Sequence, residues 1–163
     1  MRAGPLLLLA CLVIADSAAA QQRLFAGGSW AALRFAAECE ASARPLPPAA
    51  NREPAARAGF RFDARSGAQQ FHVRLSRGAR PGSSVMLTVG DRPFLLVGRG
   101  EWAWSNGPAQ AAAIAAAVRR ARGMRVEARS PSGGRFTDRY LLNGAPTAVD
   151  AAAAGCTGKI PPQ

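Results

Sequence analysis

The side chains that could carry out chemistry are few and widely spaced in this sequence. His72 is its one histidine, and no Gly-x-Ser-x-Gly turn accompanies it to supply a serine nucleophile. Because His72 alternates with the apolar Phe71 and Val73, the pattern predicts a half-exposed strand residue. A hydrolytic enzyme would need the fold to bring His72 together with Asp138 and Tyr140. We therefore expect a protein that is not an enzyme, with no catalytic residue.

Acidic residues and glycines show none of the spacings that hold metals or nucleotides. Asp138 shares strand parity with Phe136 and Tyr140, so we expect its carboxylate to face inward. A buried carboxylate needs donors, which backbone N–H groups or an arginine could supply; a ligand contact is the alternative. The sequence predicts no metal site and no cofactor. The scattered acidic residues include Asp63, Asp91, Glu101, Glu127, Asp138 and Asp150.

The N-terminus has the layout of a secretory signal peptide. Residues 1–20 begin with Arg2, continue with an apolar run at 6–14 and end in three alanines, a small-residue cleavage site. Lipid attachment at Cys11 is the alternative. The protein is therefore expected to be periplasmic or secreted, with no stable membrane span. In such an oxidising compartment, Cys39 and Cys156 are expected to form a disulfide rather than a reactive or metal-binding pair.

Positive charge is the strongest remaining feature. The chain has 21 Lys and Arg against 10 Asp and Glu, a net charge of +11, and all of the basic residues except Lys159 are arginines. On one sheet face, guanidinium groups would attract phosphate, sulfate or carboxylate polymers; spread over separate faces, they would only be solvated. The outward positions of the predicted strands hold Arg61, Arg65, Arg74, Arg125, Arg129, Arg135 and Arg139.

The expected partners of this basic protein are acidic glycans, lipopolysaccharide or an envelope or host protein, whereas nucleic acid is not expected in this compartment. Trp102 and Trp104, two residues apart, would share one face. They could anchor a partner, as in an inhibitor or an assembly factor, although packing between sheet and helix is the commoner use of such residues. Trp30 is expected in the core.

Hydrophobic periodicity predicts the elements that position these residues. Alternation indicates short antiparallel strands, and alanine-rich stretches opened by proline indicate helices near 108–122 and 146–154, with Gly123 and Gly155 expected to end them. The fold class is mainly β: a β-sandwich or a partly open barrel of short antiparallel strands. The expected organisation is a flexible leader at 21–29, a single domain at 30–156 and a disordered tail at 157–163. The predicted strand regions are 30–42, 59–65, 71–76, 85–89, 92–97, 124–129 and 135–142.

Several short motifs follow one another in a distinctive order. They include FLLVG at 94–98, WAW at 102–104, GMRV at 123–126, DRYLLNGA at 138–145 and AVDAA at 148–152. Over residues 70–156 this order resembles the invasion-associated locus B family, secreted or periplasmic proteins of alphaproteobacteria. The resemblance implies a β-rich fold and, for the name-giving members, a role in entering host cells. It implies no catalytic residue.

Overall fold

A computed structural model describes residues 21–47 and 55–157, which form strands and two helices. The predicted signal peptide at 1–20 and the tail from 158 lie outside the described residues. The helices are α1 (Gly107–Val118) and α2 (Ala145–Cys156). The strands are β1 (Gln22–Gly27), β2 (Trp30–Arg34), β3 (Glu38–Ala43), β4 (Arg57–Asp63), β5 (Gln69–Arg74), β6 (Val85–Val89), β7 (Arg92–Arg99), β8 (Trp102–Trp104), β9 (Gly123–Arg129) and β10 (Arg135–Leu141).

The strands form one antiparallel sheet in the order β1-β2-β3-β4-β5-β8-β7-β6-β9-β10. The short strand β8 lies between β5 and β7, so it joins the two halves of the sheet. The sheet curls, because its last strand, β10, contacts residues from the opposite side of the strand order. Leu46, after β3, bridges Arg139 of β10. The Trp30 indole N–H of β2 donates to the Leu141 carbonyl at 2.8 Å. The antiparallel strands with two helices confirm the mainly β prediction, and the sheet does not close.

One face of the sheet forms the interior with the helices, and we call the opposite side the outer face. Strand alternation places Phe60, Phe71 and Val73 in this interior, all fully buried, with the two phenylalanine rings edge to face at 5.3 Å. Helix α2 packs on strands β1 to β4. The predicted disulfide is confirmed: Cys39 of β3 joins Cys156 of α2, with their Cα atoms 5.7 Å apart.

Both helices end at positions that differ from the prediction. Helix α1 ends at Val118 instead of 122, and Arg119 then turns to Asp150 of α2 with guanidinium–carboxylate distances of 2.5 and 3.1 Å. Gly123 does not end this helix; it begins β9. Helix α2 continues through Gly155, so that glycine is not its stop.

The position of Gly155 has a packing reason that only the tertiary structure shows. A Cβ at this position would clash with the Leu24 side chain. Leu24 belongs to β1, which pairs with β2 over residues predicted to be a flexible leader. That prediction at 21–29 is therefore wrong, because β1 is an edge strand held by a β2 partner and by the packing of α2.

Candidate functional site

Four of the seven candidate arginines come together on strands β9 and β10. Arg129 lies directly opposite Arg135, and Arg125 lies directly opposite Arg139. The side chains of Arg129, Arg135 and Arg139 are exposed, and that of Arg125 is half-exposed. We call these four residues the β9–β10 arginine face.

The β9–β10 arginine face is incompletely neutralised. Glu127 sits between the two arginine pairs, opposite Thr137, and its carboxylate lies 3.1 Å from Nε of Arg125. The Arg129 guanidinium donates only to the Gly133 carbonyl, at 3.4 Å, in the described part of the chain. Like charges directly opposite each other destabilise a strand pair, so a bound anion would remove a repulsion as well as form new contacts.

The other three candidate arginines lie elsewhere, each beside a carboxylate. Arg61 of β4 pairs with Glu38 at 3.1 Å, and Arg74 of β5 pairs with Glu101 at 2.8 Å. Arg65 lies in the turn after β4, where its backbone N–H donates to the Asp63 side chain. Strand β5 is separated from β9 by β8, β7 and β6, about 19 Å at ~4.8 Å per strand. The seven arginines therefore do not form one patch.

His72 is not the half-exposed strand residue predicted from alternation. It lies on the outer face but is only 5% exposed. Its Nε2 lies 3.5 Å from Oε1 of the buried Glu40, an oxygen that is also 3.2 Å from Nε of Arg57. Alternation gave the correct side of the sheet, yet neighbouring side chains cover the ring.

A glycine of β4 lies next to this contact. Gly59 of β4 lies between Ser42 of β3 and His72 of β5 in the strand register. A Cβ on Gly59 would come within 2.8 Å of the Ser42 Cβ and closer still to the Ala41 carbonyl. The missing side chain lets β3 and β4 approach each other closely beside the Glu40–His72 contact.

Glu40 is ionised although it is buried. Burial raises the pKa of its carboxyl, but hydrogen bonding and charge from His72, the charge of Arg57 and a hydrogen bond with Ser42 outweigh it and lower the pKa to about 2. A buried carboxylate that keeps its charge must be fully partnered. Glu40 therefore anchors His72 and Arg57 on the outer face.

The two strand-β8 tryptophans border the same region. Trp102 has Arg57 and Arg74 over its ring, with guanidinium carbons 5.6 and 5.8 Å from the ring centre, while Trp104 lies opposite His72 in the register. Both are partly exposed, so packing between sheet and helix does not describe them; Trp30, at 2% exposure, is in the core as predicted. A groove of about 310 Å³, the His72 groove, is lined by Arg61, Gln70, His72, Arg99, Trp102 and Trp104.

The structure does not assemble the enzyme site considered from the sequence. Asp138 and Tyr140 belong to the interior face, with 5% and 2% exposure, whereas His72 lies on the outer face. Asp138 accepts a backbone N–H from Ser76 at 2.8 Å, as expected for a buried carboxylate. Burial, and then the nearby Asp138 charge, raise the pKa of the Tyr140 hydroxyl.

In residues 21–47 and 55–157, no three His, Cys, Asp or Glu side chains are grouped so that they could hold a metal ion. Neither α1 nor α2 combines the length and apolarity that a membrane span requires.

Four residues of the His72 groove and of the contacts around His72 were missed from the sequence: Glu40, Arg57, Gln70 and Arg99. Glu40 alternates with Cys39 and Ala41, and this was the signal available for an outward carboxylate at that position. No model of a protein family, no curated protein and no solved structure matches the chain.

Proposed function

We propose that the protein is a non-enzymatic binding protein of the periplasm or the cell exterior, and that its β9–β10 arginine face binds an acidic polymer, an acidic glycan or the polysaccharide of lipopolysaccharide. The observation that carries the proposal is the pair of directly opposed arginines on neighbouring strands, Arg129 with Arg135 and Arg125 with Arg139. The disulfide between Cys39 and Cys156 is compatible with this location. The sequence resemblance to the invasion-associated locus B family points to the same compartment.

The geometry suits a repeating anion. Successive residues on one side of a strand are about 6.6 Å apart, twice the ~3.3 Å rise per residue. Arg125 and Arg129 are two such steps apart with Glu127 between them, as are Arg135 and Arg139 with Thr137 between them. Two guanidinium pairs about 13 Å apart can therefore contact separate sulfate, phosphate or carboxylate groups along one chain.

The test is binding to immobilised heparin and to lipopolysaccharide across a salt series, with neutral dextran as the reference polymer. We expect retention on both acidic polymers that weakens steeply with salt, because the contacts are between exposed charges. Replacing Arg125, Arg129 and Arg139 together by glutamine should lower the affinity at least about tenfold at low salt.

A matched variant separates the face from the overall charge. Arg34, Arg65 and Arg120 are also exposed and lie outside β9 and β10, so their joint replacement by glutamine removes the same charge elsewhere. If both triple variants lose affinity equally, net charge and not the β9–β10 arginine face explains the binding, and the proposal fails. It also fails if the unmodified protein does not bind either acidic polymer at low salt.

A further inference from the structure

The His72 groove lies over a buried histidine. His72 is 5% exposed, and its Nε2 is turned toward Glu40. Within the described part of the chain, neither ring nitrogen has a hydrogen-bond partner, and both have almost no solvent-accessible surface. The contacts to a ligand must therefore come from the exposed residues that line the groove.

The remaining lining defines the chemistry of that ligand. Of the six described residues that line the groove, two are arginines and none is acidic. Arg61 is paired with Glu38, whereas Arg99 is exposed and can meet an anion. Gln70 adds an exposed amide beside them. The groove therefore favours a small molecule that carries a negative charge and several hydrogen-bonding groups.

Trp104 supplies a single platform for stacking. Its neighbour Trp102 is already flanked by Arg57 and Arg74, and in the register Trp104 has His72 on one side and Val97 on the other. A ring with one apolar face and a rim of hydroxyl groups fits such a platform, because the face packs on the indole and the rim meets the polar neighbours.

We propose that the His72 groove binds one carboxylated sugar ring, stacked on Trp104, with its carboxylate at Arg99 and a hydroxyl group bonded to the side-chain amide of Gln70. The inference rests on the proposed function for its ligand class, since the ring would be one unit of the acidic glycan. It uses different residues, because β7 and β6 separate β8 from β9 and β10.

The test uses the fact that the chain has one histidine and three tryptophans. In ¹³C and ¹⁵N NMR spectra, His72 gives the one native imidazole signal, and Trp30 provides an internal reference because its indole is buried in a hydrogen bond with the Leu141 carbonyl. D-glucuronate should shift the His72 and Trp104 signals saturably and leave Trp30 unmoved. D-glucose, which lacks the carboxylate, should bind at least about tenfold more weakly.

Two variants test the residues of the groove. Arg99 is exposed, so Arg99→Gln should fold normally and weaken glucuronate binding about tenfold. Arg65→Gln, an exposed arginine in the turn after β4 and outside the groove, should leave glucuronate binding unchanged. Trp104→Ala should remove the binding, and thermal unfolding would show that the variant is folded.

Each other outcome overturns the inference. No saturable shift with glucuronate, an equal shift with glucose, or equal losses in Arg99→Gln and Arg65→Gln would refute a carboxylated-sugar site. Saturable binding of adenosine monophosphate in place of glucuronate would assign the groove to nucleotides instead. The variant lacking Arg125, Arg129 and Arg139 separates the two proposals, because it should lose heparin binding but retain glucuronate binding.

Discussion

Glu40 and His72 meet across an intervening strand, with Oε1 of the carboxylate 3.5 Å from Nε2 of the imidazole. The contact crosses β4 at Gly59, the position in the register between Ser42 and His72. Arg57 approaches the same carboxylate oxygen and extends over Trp102. A charged group buried in the sheet is thus connected to the aromatic residues that border the His72 groove.

Replacing the buried carboxylate of Glu40 should destabilise the protein. Glu40→Gln leaves His72 and Arg57 beside a neutral amide, and we expect a loss of about 1–3 kcal/mol in the free energy of unfolding at pH 7. Urea denaturation followed by tryptophan fluorescence measures it. The control is Glu127→Gln, an exposed carboxylate on β9, which should change stability by less than about 0.5 kcal/mol. Equal effects of the two substitutions would contradict the anchoring role of Glu40.

The same carboxylate predicts a pH dependence. Its pKa is lowered from 4.5 to about 2 in the folded protein, so the unfolded state binds a proton more readily. The stabilisation is therefore complete above pH 4.5 and is lost as the pH falls towards 2. The stability difference between the unmodified protein and Glu40→Gln should shrink over that window. A difference that stays constant from pH 6 to pH 2.5 would refute the prediction.

A methyl group at Gly59 should disrupt the same region for a steric reason. The added Cβ would lie 2.8 Å from the Ser42 Cβ and against the Ala41 carbonyl, and backbone atoms there cannot yield without bending the β3–β4 ladder. We expect Gly59→Ala to cost about 2 kcal/mol. Gly134→Ala is the matched control, because its added Cβ would find its nearest neighbour, Ser130 Oγ, at 3.6 Å. Calorimetry should show a lower melting temperature for Gly59→Ala and an unchanged one for Gly134→Ala.

The disulfide should contribute strongly because it encloses most of the described chain. Its cysteines are 117 residues apart, and the chain-entropy model gives about 4–5 kcal/mol for such a loop. We expect Cys39→Ser with Cys156→Ser to lose about 2–5 kcal/mol. A reducing agent should destabilise the unmodified protein and have no effect on this double variant. If the reductant left both unchanged, the bridge would not be part of the stable fold.

Alternation predicted most of the strands, since one buried face imposes a period of two on each of them. It could not predict β8, because three residues are too few for a period and the strand is fixed by its partners β5 and β7. Nor could it predict the burial of His72, which depends on Glu40 more than thirty residues away. The local sequence predicts which face of the sheet a side chain lies on. Whether that face is buried depends on residues that are distant in the sequence.

The candidate arginines show the same limit. Alternation placed Arg61 and Arg125 on outward positions but carried no information on strand order, and that order separates them into different surfaces. Neighbouring carboxylates then decide which surface remains basic: Glu38 lies beside Arg61, whereas Arg129 and Arg135 face each other. Such pairings become visible only when the register is known.

The directly opposed arginines predict a substitution that stabilises the protein. Arg129 and Arg135 repel each other across β9 and β10, so Arg135→Gln should raise the free energy of unfolding by about 0.2–1 kcal/mol at low salt. Salt screens exposed charges, so the gain should disappear near 1 M salt. Arg65→Gln removes one exposed charge without an opposed arginine and should give no such gain. If Arg135→Gln destabilises the protein at low salt, the two guanidinium groups are not in repulsive contact. The stability gain should accompany weaker heparin binding, because the repulsion that destabilises the free protein is the one an acidic polymer would relieve.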